Sequence, residues 1–128
     1  MSDGRSEVGS IGWVDLTIDN AEEIRDFYRA VVGWTTTNVG MGDYNDFCMN
    51  TPRDGRAVAG ICHARGENAD LPSHWLVYLI VADLDKSLNE CVTRGGRALT
   101  AVRTMGDTGR YCVIEDPAGA VVALFERA

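Results

Sequence analysis

The chain repeats itself, and that constrains its fold more than any other feature. A run rich in strand formers at Ile11–Ile18 leads into a helix signal that opens at Asn20 and closes at Gly33, 13 residues on. The same order returns after residue 74. A continuous apolar strand, Trp75–Val81, precedes a second helix signal from Asp83 to Gly96, again a span of 13 residues. Three strand-like runs follow each helix: Thr35–Val39, Tyr44–Met49 and Ala57–His63, then Ala98–Thr104, Tyr111–Glu115 and Val121–Phe125. The turns match as well. An aromatic–Cys pair, a Pro-containing turn and a glycine eight residues on occur at Phe47–Gly55 and at Tyr111–Gly119, which makes Cys48 and Cys112 equivalent positions. Repeats of about sixty residues are too small to bury a core alone, so the two are expected to pair. The predicted fold class is α+β. Two βαβββ repeats build a curved mixed sheet, with helices on one face and a cup on the other. One domain, 1–128, then consists of repeat 10–63 and repeat 74–127 joined by the polar linker 64–73.

The helices are predicted from spacing and caps. Asp19 and Asn20 supply an N-cap, Glu22 and Glu23 lie in the first turn, and Gly33 is placed as a C-cap. Ile24, Phe27, Tyr28, Val31 and Val32 recur at helical spacing. Asp83 caps the second helix, whose apolar face holds Leu84, Leu88, Cys91 and Val92 up to about Arg94.

Charge excludes some functions. There are 12 basic and 19 acidic residues, a net charge of −7, so neither nucleic acid nor an anionic membrane is expected as a partner. No apolar run reaches eighteen residues, and the polar start lacks an apolar signal core; the expected location is cytoplasmic. None of Cys48, Cys62, Cys91 and Cys112 forms a C-x-x-C pair, and each lies in an apolar stretch, so they are read as reduced core residues.

Phe27-Tyr28 with Val32-Gly33-Trp34 in the first repeat, and Asp83-Leu84-Asp85, Gly95-Gly96, Gly109-Arg110 and Asp116-Pro117-Ala118-Gly119 in the second, resemble the vicinal oxygen chelate superfamily. That superfamily takes in glyoxalase I, the bleomycin resistance proteins and the extradiol dioxygenases. The resemblance runs from about Ser10 to Arg127. It implies a sheet-lined cup at whose mouth a divalent metal binds two vicinal substrate oxygens, held by His, Glu or Gln from the first and last strands of each repeat. Carried over one at a time, those positions fall on Trp13, on Trp75 or Leu76, on Ala123, and on Ala59 or Gly60. None offers a metal donor, so no cofactor is expected.

The leading expectation is therefore a glyoxalase-like protein that binds a small, partly aromatic molecule. Trp13, Asp15, Trp75, Tyr78, Ala123 and Phe125 are the ligand-binding candidates, and Asp15 is the one catalytic candidate. One alternative is a divalent-metal-dependent lyase, isomerase or dioxygenase with displaced ligands, built on Asp15 and His74, perhaps with His63. Another is a structural or regulatory homodimer. A homodimer is expected in any case, because Trp75–Val81 is more apolar than a half-exposed strand requires. Strand parity turns Glu126 away from the face of Ala123 and Phe125, and Glu115 is read as a solvated or turn-bonding carboxylate.

Overall fold

The computed structural model describes residues 7–128. Among them are two helices and nine strands, and the chain is mixed α+β. It divides into two compact units. One is Val14–Trp75; the other is Leu76–Ala128 with the described residues up to Trp13.

The first unit contains most of β1 (Ile11–Ile18), α1 (Ala21–Val32), β2 (Thr35–Gly40), β3 (Asn45–Asn50) and β4 (Ala57–His63), with a single 3-10 turn at Gly66–Asn68. Its strands lie in the order β2-β3-β4-β1, and β1 runs parallel to β4. Helix α1 covers one face through Ala21, Phe47, Met49, Ala59 and Ile61, with Ile24, Tyr28, Trp34 and Trp75 packed around them. Met49 and Ile61 are wholly buried; each such side chain contributes about 2 kcal/mol by leaving water.

The second unit contains β5 (Trp75–Ile80) from Leu76 on, α2 (Leu84–Thr93), β6 (Arg97–Ala98), β7 (Arg103–Thr104), β8 (Gly109–Glu115) and β9 (Val121–Arg127). The order is β5-β9-β8-β6, with β7 also on β8, and β5 runs parallel to β9. Leu84, Cys112, Ile114 and Leu124 form its core beneath α2. Asp83 caps α2 by accepting from the Lys86 amide at 3.1 Å. Glu126 accepts from the Leu84 amide at 2.7 Å and is held by Arg110, which also reaches Asp85.

The repeat is exact in the strands that flank each helix. A displacement of 63 residues carries Ala21 to Leu84, the buried first residue of each helix. It also carries the parallel pair Asp15–Gly60 onto the parallel pair Tyr78–Ala123. Trp13 therefore corresponds to Leu76 rather than to Trp75.

Several expectations need correction. Cys48 and Cys112 are not equivalent. Cys48 pairs with Gly60, whereas Cys112 pairs with Leu124, so Phe47 is the counterpart of Cys112. The β3–β4 connection is longer and carries an irregularity between Met49 and Asn50, which the matching of Cys to Cys did not allow for. The predicted strand Ala98–Thr104 is broken into β6 and β7. The Thr100 hydroxyl accepts from the Val113 amide at 3.1 Å, so a side chain replaces a ladder carbonyl there. Asn20 is the N-cap residue of α1 but makes no capping bond; its amide donates to Glu23 instead. Of the five α1 residues at helical spacing, only Ile24 and Tyr28 pack inward beside the buried Ala21, while Phe27, Val31 and Val32 are exposed.

Candidate functional site

Each unit has a helix-free sheet face, and the two faces differ in chemistry. In the second unit strand pairing fixes two rows of side chains. Tyr78, Ala123 and Val113 lie abreast on β5, β9 and β8; Phe125, Tyr111 and Arg103 lie abreast on β9, β8 and β7. Cross-strand partners share a face, so all six project together, away from α2. The rings of Tyr78 and Tyr111 are 5.9 Å apart and tilted by 57°. Both are buried, and Ala123 between the strands is fully so. Tyr78, Ala123 and Phe125 are among the residues that the sequence points to. Tyr111 and Arg103 were missed, although alternation along β8 places Tyr111 with Val113.

The helix-free face of the first unit is polar. Asp15 and Thr17 alternate with core residues on β1, and Cys62, Cys48, Asn50 and Thr37 come from the neighbouring strands. Asp15, Thr17 and Asn50 are all buried. Asn50 donates to the Thr37 hydroxyl at 2.9 Å and accepts from the Cys48 thiol at 3.6 Å. Burial, with the charges of Asp15 and Asp46 behind it, pushes the Cys62 thiol far above its ordinary range. Cys62 therefore stays protonated and is no nucleophile at neutral pH.

Beside this face is a cluster that the sequence does not announce, since His63 enters that reading only as a third displaced metal donor, without Asp46 or Glu22. His63 is clamped between two carboxylates. Its backbone N–H donates to Asp46 Oδ1 at 2.8 Å, its Nδ1 is 3.1 Å from the same oxygen, and its Nε2 is 3.0 Å from Glu22 Oε1. His63 and Asp46 are buried, and the Tyr44 and Phe47 rings flank the imidazole. Burial alone would lower the imidazole pKa; the hydrogen bonds and charges of Glu22 and Asp46 outweigh it, and the pKa is raised.

Trp75 lies elsewhere. It is on the helix side of the first unit, where its indole N–H donates to the Tyr28 hydroxyl at 3.1 Å and its ring meets those of Tyr28 and Trp34. It borders an apolar groove of about 320 Å³ with Leu16, Ile18, Ile24 and Phe27, and His74 stands at the edge. The His74 Nδ1 bonds the Trp75 carbonyl at 3.0 Å. Trp13 is half-buried on β1, on the strand side of Asp15 by alternation.

The family model of the Glyoxalase/Bleomycin resistance protein/Dioxygenase superfamily matches residues 10–124. The chain belongs to this superfamily. It is 32% identical over 123 residues to the putative glyoxylase CFP32 of Mycobacterium tuberculosis, covering 92% of this chain and 46% of that protein. It is 28% identical to the anthracycline biosynthesis protein DnrV of Streptomyces peucetius, covering 93% of this chain and 47% of that protein. The chain thus spans about half the length of the curated relatives it matches. Methylmalonyl-CoA epimerase from Mycobacterium tuberculosis shares the fold at a TM-score of 0.60 and 14% identity, covering 98% of this chain and 95% of that one. The 2,3-dioxygenase LapB from Pseudomonas sp. KL28 shares it at a TM-score of 0.55 and 22% identity, over 91% of this chain and 40% of that one.

The superfamily implies a divalent metal, and the donors of this chain do not fit one at the expected place. The register sets the four positions as Trp13, Gly60, Leu76 and Ala123: an indole, a hydrogen and two alkyl groups. The displaced set is not assembled either. Asp15 is on the helix-free face, whereas His74 is beside the groove on the helix side, and His63 is engaged by Asp46 and Glu22. Among the described residues no three His, Cys, Asp or Glu side chains converge as a metal site would require.

Proposed function

We propose that this superfamily member binds a small planar molecule on the helix-free face of its second unit, without a metal at the usual superfamily position. The observation that carries the reading is the Tyr78–Tyr111 ring pair beside Phe125 and Ala123 on one face. Aromatic walls accept planar ligands by stacking and edge contacts. The name of the relative DnrV, an anthracycline biosynthesis protein, is in keeping with an aromatic ligand. Asp15, buried on the other unit's polar face, is proposed as a hydrogen-bonding residue rather than a metal ligand.

A thermal-shift panel of planar phenols and quinones, run with and without Mn²⁺, Zn²⁺, Ni²⁺ and Fe²⁺, tests both parts. A ligand at a hundred times its Kd stabilises the folded chain by about 2.7 kcal/mol, so at least one compound should raise Tm by several degrees with no metal added. One equivalent of divalent metal retained through dialysis would overturn the metal-free reading.

We also propose that the protein is a homodimer. Phe27, Val31 and Val32 leave the outer side of α1 exposed at 53, 63 and 51%, an apolar stripe that a second copy would cover. No helix among the described residues is long and apolar enough to cross a membrane. Sedimentation at micromolar concentration should show twice the 13.9 kDa chain mass; a boundary at the monomer mass alone refutes the dimer.

A further inference from the structure

We propose that Arg103 is an oxyanion-binding residue, so that the molecule taken by the aromatic face carries a carboxylate or comparable oxyanion beside its planar part. The inference rests on the binding face proposed above and adds the charge of what it holds.

Strand register places Arg103 directly opposite Tyr111, which is itself opposite Phe125. The guanidinium therefore belongs to the face that carries the Tyr78–Tyr111 ring pair. Its Nη1 is buried and has no hydrogen-bond partner among the described residues. Such a group is unusual, because a buried N–H without an acceptor is costly and a guanidinium cannot shed its charge. Lack of acceptors in the chain does not explain it, since acidic residues outnumber basic ones 19 to 12. Neighbouring arginines found theirs: Arg94 pairs with Glu90, Arg97 with Glu115, and Arg110 with Asp85 and Glu126. Arg97 also occupies Glu115, at the far end of β8 from Tyr111.

An oxyanion bound at Nη1 removes that cost. A guanidinium presents its donors as a planar fork that matches a carboxylate, and the rings beside it suit the flat remainder of the molecule. The net charge of −7 gives no long-range attraction for an anion, so recognition has to come from a local, half-buried cation of this kind.

The test is calorimetric titration of the full chain with benzoate and with benzamide, which share a shape and differ in charge, together with thermal melts in inorganic phosphate. In Arg103→Gln the benzoate Kd should weaken at least tenfold, while the benzamide Kd changes less than twofold. Phosphate should raise Tm further in the native sequence than in Arg103→Gln, beyond the general salt effect that both share. In phosphate-free buffer Arg103→Gln should melt at or above the native sequence. Should that variant not fold, Arg103→Lys keeps the charge and loses the fork, and is expected to weaken benzoate binding measurably. Equal benzoate affinity in the native and substituted proteins would overturn the proposal. If neither benzoate nor benzamide binds, the aromatic-face reading fails on its own, and the phosphate comparison still decides Arg103: equal responses would overturn it.

Discussion

Gly109→Ala is expected to leave little or no folded protein. Gly109 opens β8 at φ 154° and pairs with Arg127 on β9. A Cβ placed there would lie 2.2 Å from the Glu126 carbonyl oxygen, 2.9 Å from Phe125 Cζ and 3.0 Å from Arg127 Cα. Two of those atoms are backbone in the adjoining strand, so the clash cannot be relieved by turning a side chain. Relief requires the start of β8 to part from the end of β9, where Arg110 and Glu126 also pair. Overpacking against a fixed backbone, added to a conformation that L side chains rarely adopt, should cost about 4 kcal/mol or more. A domain of this size has about 5–15 kcal/mol in all. Gly106→Ala is the control: its φ is +55° and a Cβ there meets nothing within 4 Å, so only about 1–2 kcal/mol of backbone strain is expected. Urea midpoints of the two variants check this, and equal losses would show that the β8–β9 contact is not the cause.

The same contact explains why part of the fold is legible in the sequence. The resemblance rests on Gly95-Gly96 and Gly109-Arg110, and the structure gives those residues physical work. A Cβ on Gly96 would meet Cys91 Sγ at 2.7 Å and the Glu115 carbonyl at 2.9 Å. Arg110 ties Glu126 and Asp85 together at the start of α2. Helix limits were legible because caps and periodicity are local. Facing was harder to read, because it depends on partners far along the chain. Trp75 could be placed on either side of its strand until its hydrogen bond to Tyr28, 47 residues away, fixed it. Phe27, Val31 and Val32 fit the helical spacing as well as Ile24 does, yet of that set only Ile24 and Tyr28 meet the core and the other three stay exposed. Thr100 breaks a strand that its neighbours favour, because its hydroxyl takes the Val113 amide in place of a ladder carbonyl. Arg103 carries no local signal; its interest arises only from the register that sets it opposite Tyr111.

Replacing His63 with alanine is expected to cost about 3 kcal/mol, the scale for breaking a buried charged pair by removing one member. The loss would come mainly from Asp46, which is 6% exposed and would keep only the backbone N–H of residue 63 as a neighbour from this group. The effect should also depend on pH, in a direction that the shifts fix. The His63 pKa is raised above its ordinary 6.5 in the folded chain, so the fold holds that proton more tightly than the unfolded chain does. Its contribution is complete below the unfolded value and is lost as pH rises through the folded one. The hydrogen bond from His63 comes first among the causes that lower the Glu22 pKa below its ordinary 4.5. Glu22 therefore contributes above its unfolded value and loses that contribution as pH falls through its lowered folded value. The cluster is then strongest between those two ordinary values, where His63 is charged and Glu22 accepts from it. Urea midpoints measured at pH 5.5, 7 and 8.5 should fall with rising pH in the native protein. They should fall less in His63→Gln, which keeps a side-chain donor and has no proton to lose. Glu22→Gln should lower the midpoint at pH 5.5 and flatten the same slope, because Glu22 is one of the two groups that raise the imidazole pKa. Parallel slopes in all three proteins would mean that the proton on His63 does not join α1 to the sheet.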